Sequence, residues 1–353
     1  MATTTPGRPA EHSPEPHPVA PAPRPWALGS TPWLTAPSLG APRARVIVDN
    51  DFSGDPDDLY QVVHHLLSPS VEISAVIASH LAPGDPFDSS SSTASNAAKV
   101  VHELFDLMGL TSHEVVLTGA ESGLVDTRTP QDTPAARAII AEAHRDDPRP
   151  LYVVVGGGLT EIASAYLLDP TIAEKLTVIW IGGEEHDGLA YAPPNPMPIE
   201  YNLNIDLVAG QVVFGDSDLT IWQVPRNLYR QCLVSDAELQ TRVAPHGALG
   251  ARLYESLRPI AARVAERDGA AGETYALGDS PLVLLTALQS FFEPDPSSSD
   301  YVLLPTPRLD DEGSYVATPD ARPMRVYTRV DTRLMFEDMF LKLQMFAAWQ
   351  AAD

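Results

Sequence analysis

The chain has 353 residues, enough for one large α/β domain or two ordinary ones, and its apolar fraction of 44% is that of a globular protein with a sizeable core. A formal net charge of −24 argues against a nucleic-acid polymer as partner, because phosphate contacts need clustered Lys and Arg; a neutral or cationic small molecule, or a divalent cation, suits the chain better. The single cysteine, Cys232, excludes an internal disulfide framework and a Cys-rich zinc site, and reads as a buried, inert thiol.

Residues 1–43 are rich in Pro, Ala, Ser and Thr, with prolines too closely spaced for helix or central strand. This stretch is expected to be a disordered or surface-packed tail, with Trp26 to Leu39 carrying enough apolar residues to lie against the domain. It has no apolar core of a secretory signal, and no run in the chain approaches membrane-spanning length. The expected location is therefore the cytoplasm, without membrane contact.

Residues 44–353 are expected to form one domain. A β-branched run at 45–48 is followed by a helical pattern over 57–67, with Leu59, Val62, Val63, Leu66 and Leu67 at helical spacing. Then come a strand at 73–78, a helix at 94–108, a strand at 115–117 and a helix at 134–144. The alternation continues with a strand at 151–155, a helix at 160–168, a strand at 176–181, a helix at 205–214 and a strand at 219–224. Residues 235–292 read as mainly helical, 301–329 as β-rich, and 332–349 as a final helix. Such alternation predicts a doubly wound, mostly parallel sheet flanked by helices, with ligands outside the carboxyl ends of the strands.

The most informative stretch is Asp49-Asn50-Asp51-Phe52-Ser53-Gly54-Asp55-Pro56-Asp57-Asp58, at the carboxyl edge of the first strand. It holds five carboxylates in ten residues, which repel one another unless something positive sits among them. Burying unpaired carboxylates costs on the order of several kcal/mol each, a cost that a hard divalent cation removes. Oxygen ligands without nearby His or Cys favour Ca²⁺ or Mg²⁺. An EF-hand is excluded: Tyr60 stands where its bidentate Glu belongs, and a strand rather than a helix precedes the loop. The Asp-x-Asp of haloacid-dehalogenase-type phosphatases is a weaker rival, since that scheme has no place for Asp57-Asp58.

The cluster resembles the signature of the inosine–uridine preferring nucleoside hydrolase family: Asp-x-Asp, a Gly-containing turn, then Asp-Asp opening a helix. The turn here is two residues longer than in the best-known members. Three further segments match in the family's order. Gly156-Gly157-Gly158-Leu159-Thr160-Glu161-Ile162-Ala163 is similar to Gly-Pro-Leu-Thr-Asn-Ile-Ala. Ile181-Gly182-Gly183, Asn195 and Glu200-Tyr201-Asn202 resemble Met-Gly-Gly, Asn and Glu-Phe-Asn. Asp279-Ser280-Pro281 stands where the family has His-Asp-Pro.

The resemblance implies a calcium-dependent N-ribohydrolase acting on a small-molecule nucleoside or riboside, commonly as a homo-oligomer (dimer or tetramer). It implies Asp51, Asp58, Asp279 and the Gly156 carbonyl as Ca²⁺ ligands, and Asp57, Asn195, Glu200 and Asn202 as groups that hold the ribose. His80 aligns with a family Asn that touches the sugar, and Asp49 supports the site from outside the ligand shell. From the residues themselves, Glu200 and Asn202 alternate as on an extended segment, which directs both to one face. Asp279 is also placed to cap the helix that begins near Pro281.

Cleavage of an N-glycosidic bond passes through an oxocarbenium-like sugar. Asp51 is the candidate general base for the attacking water. For the leaving group the sequence departs from the family, because the His before the metal-binding Asp is Gly278 here. Tyr275, Tyr229 and His186 are substitutes to consider, and Trp222 could stack on a purine. The missing His leaves a second reading open: a non-catalytic calcium- and ribose-binding member of the same fold.

Overall fold

The computed structural model describes residues 22–34, 41–270, 272–290 and 297–352. The sheet strands in chain order are β1 (Ala44–Asn50), β2 (Val71–Ala78), β3 (Val116–Thr118), β4 (Leu151–Val155), β5 (Thr177–Ile181) and β6 (Thr220–Val224). Two short antiparallel pairs lie outside that sheet: β7 (Leu233–Ser235) with β8 (Thr274–Ala276), and β10 (Arg308–Leu309) with β11 (Tyr315–Val316). The strands β9 (Ser299–Pro305) and β12 (Pro323–Val330) complete an eight-stranded sheet of order β3-β2-β1-β4-β5-β6-β12-β9. All its pairings are parallel except β12 with β9 at the edge.

The helices are α1 (Asp57–Leu66), α2 (Thr93–Met108), α3 (Pro134–Ala143), α4 (Thr160–Leu168), α5 (Tyr201–Ile205) and α6 (Leu207–Gln211). They continue with α7 (Arg226–Tyr229), α8 (Asp236–Arg242), α9 (Gly247–Ser256), α10 (Arg258–Asp268), α11 (Pro281–Thr286) and α12 (Thr332–Gln350). The doubly wound expectation is met, and the reason is visible in β1. Val46 and Val48 pack into one core with α1, α2, α11 and α12, whereas Ile47 packs into a second core with α3, α4 and α6 on the opposite face. Successive side chains of a strand point to opposite faces, so a strand covered on both sides is apolar throughout.

The same alternation aims the polar end of β1. Asn50 continues the Val46–Val48 face toward α1, and Asp49 continues the Ile47 face toward α4. Strand order reverses between β1 and β4, with β2 and β3 running one way and β5 and β6 the other. A crevice therefore opens above the carboxyl ends of β1 and β4.

Of the tail, residues 22–34 lie against the domain, and residues 1–21 and 35–40 fall outside the described set. Trp26 and Trp33 are buried, edge-on to each other at 4.8 Å, and Trp33 lies 5.2 Å from Phe346 of α12. Gly109 lets the tail approach: its φ is 68°, and a Cβ there would sit 2.4 Å from the Arg24 carbonyl oxygen.

Local differences from the sequence expectations have identifiable causes. The helix expected at 205–214 is broken at Asp206, whose extended backbone lets its carboxylate cap Ala209 N–H at 2.9 Å and accept from Thr160 Oγ1 at 2.7 Å. Val212–Asp216 then follows as a π-type turn. Glu200 and Asn202 do not alternate along one extended segment: Glu200 N-caps α5 and Asn202 lies within it. Asp279 does not cap α11 with its side chain, and Ser280 is the N-cap residue. No helix among the described residues is long and apolar enough to cross a membrane.

Candidate metal centre and active site

At the crevice a cavity of about 140 Å³ is lined by Asp51, Asp55, Asp57, Gly156, Ile181, Glu200, Tyr201, Asn202, Tyr229, Gly278 and Asp279. Four strands of the sheet (β1, β4, β5 and β6) contribute through their ends or the segments after them, and Gly278 and Asp279 arrive from the loop before α11. A larger cavity of about 560 Å³ lies against the tail, but Glu72 and Glu114 are the only acids that line it among the described residues.

Carboxylate oxygens of Asp57, Asp58 and Asp279 lie within 4.8 Å of one another. Asn50, between the two acids of Asp49-x-Asp51, organises them. Its Nδ2 donates to Asp58 Oδ1 at 2.6 Å, to Asp279 Oδ2 at 2.9 Å and to Gln61 Oε1 at 3.2 Å, and its Oδ1 accepts from Gly156 N–H at 3.0 Å. Three of the four expected ligand positions are thus tied to one amide. Sequence reasoning passed over Asn50, and the available signal was strand alternation, which turns Asn50 and not Asp49 toward α1. Asp49 faces Glu161 and Ser79 on the other side of the sheet, and neither of its carboxylate oxygens has a partner.

The donor set fits a hard cation. Asp51 Oδ2 and Asp58 Oδ2 are buried without a hydrogen-bond partner. Burial, together with the neighbouring acids, pushes the carboxyls of Asp57 and Asp58 well above their usual range, Asp51 to about 8 and Asp279 to about 7. A divalent ion reverses that preference by supplying the missing positive charge. The glycine at 156 makes room for such a cradle, since a Cβ there would lie 1.8 Å from Asp279 Oδ2. The Gly156 carbonyl accepts one bond from Asn202 Nδ2, at 2.9 Å, and keeps a second lone pair.

The ribose-binding expectations separate into two groups. Asp57, Glu200 and Asn202 line the cavity. Glu200 is held rigidly: Oε2 accepts from Gly183 N–H at 2.7 Å and Leu203 N–H at 3.1 Å, and Oε1 accepts from Tyr229 OH at 2.7 Å. Asn202 is fixed by donation to the Gly156 and Ile181 carbonyls. Asn195 is not brought to the cavity; it is an exposed turn residue with a φ of 53° in the Pro-rich loop. His80 is buried, with both ring nitrogens engaged by protein, and does not line the cavity either.

Three tyrosines ring the acids. Tyr229 donates to Glu200, Tyr201 donates to Asp85 Oδ2 at 2.8 Å, and Tyr275 donates to Asp55 Oδ1 at 2.5 Å. Burial first, and then the facing carboxylates, push each phenol upward, so all three are neutral donors. Gly278 packs beside Tyr229: a Cβ there would come 3.3 Å from Tyr229 Cδ2 and 3.2 Å from Asp57 Oδ2. Any side chain at 278 would therefore need Tyr229 or Asp57 to give by a few tenths of an ångström. Two other leaving-group candidates lie elsewhere. His186 donates to Gln223 Oε1 at 2.7 Å and stacks on Tyr315 beside a separate cavity. Trp222 faces Arg325 near the amino ends of β1 and β4, so it cannot stack on a base at the crevice. Cys232 is buried, and its thiol is pushed up to about 12 by that burial, in keeping with an inert role.

The fold and site together define the class: an α/β protein with carboxylates that could hold a metal ion gathered at the switch point of a mostly parallel sheet. A family model described as inosine-uridine preferring nucleoside hydrolase matches residues 46–337, and the chain belongs to that family. Curated relatives of that name come from Leishmania major, 31% identical over 136 residues (38% of this chain and 41% of the relative), and Crithidia fasciculata, 34% identical over 110 residues (30% and 32%). These alignments span less than half the length of either relative. The fold is similar to that of a plant nucleoside hydrolase, with a TM-score of 0.64 and 19% identity over 88% of this chain and 100% of that one. It is equally similar to a purine-preferring ribonucleoside hydrolase from Gardnerella vaginalis, with a TM-score of 0.64 and 17% identity over 86% and 99%.

Proposed function

We propose that the chain hydrolyses the N-glycosidic bond of a ribonucleoside or related N-riboside, giving ribose and free base, with Ca²⁺ at the acid cluster. The observation that carries this reading is the convergence of Asp51, Asp57, Asp279, Glu200 and Asn202 on one cavity in a member of this family. Asp51, Asp58, Asp279 and the Gly156 carbonyl would hold the ion, which would make a bound water acidic and orient the vicinal hydroxyls of the sugar. An all-oxygen set mixing carboxylates with a backbone carbonyl suits calcium's flexible coordination better than the strict octahedron of magnesium.

Asp51 accepts the proton of the attacking water through its unpartnered Oδ2. Glu200, Asn202 and Asp57 hold the ribose hydroxyls. The surrounding carboxylates favour the positive charge that grows on the ring as the base departs.

The test is incubation of the purified protein with inosine, uridine, adenosine and nicotinamide riboside, with chelator and after calcium is restored. Release of base that chelation stops and calcium restores is the expected outcome. If no riboside yields free base, the hydrolase reading is wrong. The packing of Tyr229 against Gly278 favours a second reading, a calcium- and ribose-binding protein without turnover. Tightly held calcium found by elemental analysis, with every riboside left intact, would support that one.

A further inference from the structure

His80 follows the carboxyl end of β2, yet its ring is 1% exposed and directed into the protein. Nδ1 lies 3.0 Å from the Leu81 carbonyl oxygen, which can only accept, so Nδ1 carries a proton. Nε2 lies 2.8 Å from Thr160 Oγ1. The single proton of that hydroxyl is directed to Asp206 Oδ2 at 2.7 Å, so Thr160 accepts from Nε2. Asp206 is fixed as an acceptor, because it also takes Leu124 N–H at 2.8 Å and Ala209 N–H at 2.9 Å. Both imidazole nitrogens therefore donate.

The countercharge stands next to Thr160. Glu161 is 1% exposed; Oε1 accepts from Ala120 N–H at 2.7 Å, and Oε2 has no hydrogen-bond partner. Burial raises its carboxyl, a rise that a protonated His80 opposes. Asp49 from β1 is a further acid facing Glu161.

We infer that His80 is a buried imidazolium, neutralised by Glu161 and, through Thr160, by Asp206, and that it acts as a positioning residue rather than as a contact to the sugar. Its action reaches the acids through Leu81. The Leu81 carbonyl is held by His80 and its N–H by Thr93 Oγ1 at 3.0 Å. Its side chain lies so close over Gly54 that a Cβ there would meet Cδ2 at 2.8 Å. Gly54 in turn closes the turn that begins at Asp51, with a backbone bond of 2.7 Å.

Protein labelled with ¹⁵N-histidine tests the charge directly at pH 7.5. Both His80 nitrogens are expected at the imidazolium position, assigned by the signals missing from His80→Asn/Glu161→Asn. Thermal unfolding tests the pairing: each single Asn variant should lose on the order of 5 °C or more, and the double variant should regain most of that loss. Should the singles fail to fold, a folded double variant supports the pair and an unfolded one counts against it. A neutral ring at pH 7.5, or a double variant whose loss equals the sum of the singles, overturns the inference.

Discussion

Asn50 Nδ2 lies 2.9 Å from Asp279 Oδ2, joining residues 229 positions apart, and the same nitrogen bonds Asp58 at 2.6 Å. One neutral amide thus sets the separation of two acids that would otherwise repel each other. Partners of this kind typically carry 10- to 100-fold in metal affinity or activity. Asn50→Ala should therefore weaken Ca²⁺ binding about 10- to 100-fold, measured by isothermal titration calorimetry on chelator-treated protein. Turnover of the best riboside should fall with it. Unchanged affinity would mean that Asp58 and Asp279 are positioned by something other than Asn50.

Gly156→Ala should be more damaging than its single methyl suggests. The added Cβ would fall 1.8 Å from Asp279 Oδ2 and 2.7 Å from Asn50 Nδ2, so the acid must leave its position. We expect loss of calcium binding on the order of 100-fold or more. Gly215→Ala is the control, since a methyl there meets only Arg308 at 3.6 Å. Equal calcium affinities for the two variants would contradict the cradle at Gly156.

How far the site could be read in advance depended on whether a side chain's direction followed from its local pattern. Asp57 and Asp58 open α1, and Asp279 and Gly156 sit at loop boundaries next to strand or helix, so their convergence follows from a doubly wound sheet. Asn195 failed because a Pro-rich loop imposes no direction, and the residue serves the turn. His80 failed because its nitrogens found hydrogen-bond partners in the interior, a long-range outcome that no local spacing encodes. Trp222 sits on a strand whose register with Arg325 places it toward the amino ends, away from the crevice. The strands and most helices were readable because sheet faces covered on both sides demand continuous apolar runs. The break at Asp206 was not, since it depends on bonds to Thr160 and Leu124.

The residue at 278 offers a test of how this chain departs from its family. Gly278→His alone should be destabilised by roughly 1–3 kcal/mol, because its Cβ already falls in tight contact with Asp57 and Tyr229. It should not raise turnover. Paired with Tyr229→Ala, the histidine gains room, and turnover of inosine should exceed that of Tyr229→Ala alone. Melting temperatures and initial rates of the three variants decide the matter. A well-folded, faster Gly278→His single variant would show that Tyr229 does not block the position.

Acid sensitivity should trace in part to the far end of α1. His64 is buried there, its Nε2 is 2.7 Å from Asp338 Oδ2, and Nδ1 has no partner. Burial lowers its pKa to about 4 from the ordinary 6.5, Lys342 adding to that effect and Asp338 opposing it. Between those values the unfolded chain binds a proton that the folded one does not. Stability from this group is therefore complete above pH 6.5, is lost progressively as pH falls to 4, and declines no further below. The full span amounts to about 3 kcal/mol, of which about 2 kcal/mol is gone by pH 5. His64→Gln keeps a donor for Asp338 and cannot titrate, so His65 and Asp338 contribute similarly to both proteins and largely cancel in the comparison. Urea unfolding at pH 5, 6, 7 and 8 should show the variant gaining on the parent by about 2 kcal/mol from pH 7 to pH 5. Parallel curves across that range would mean that His64 takes up its proton without unfolding.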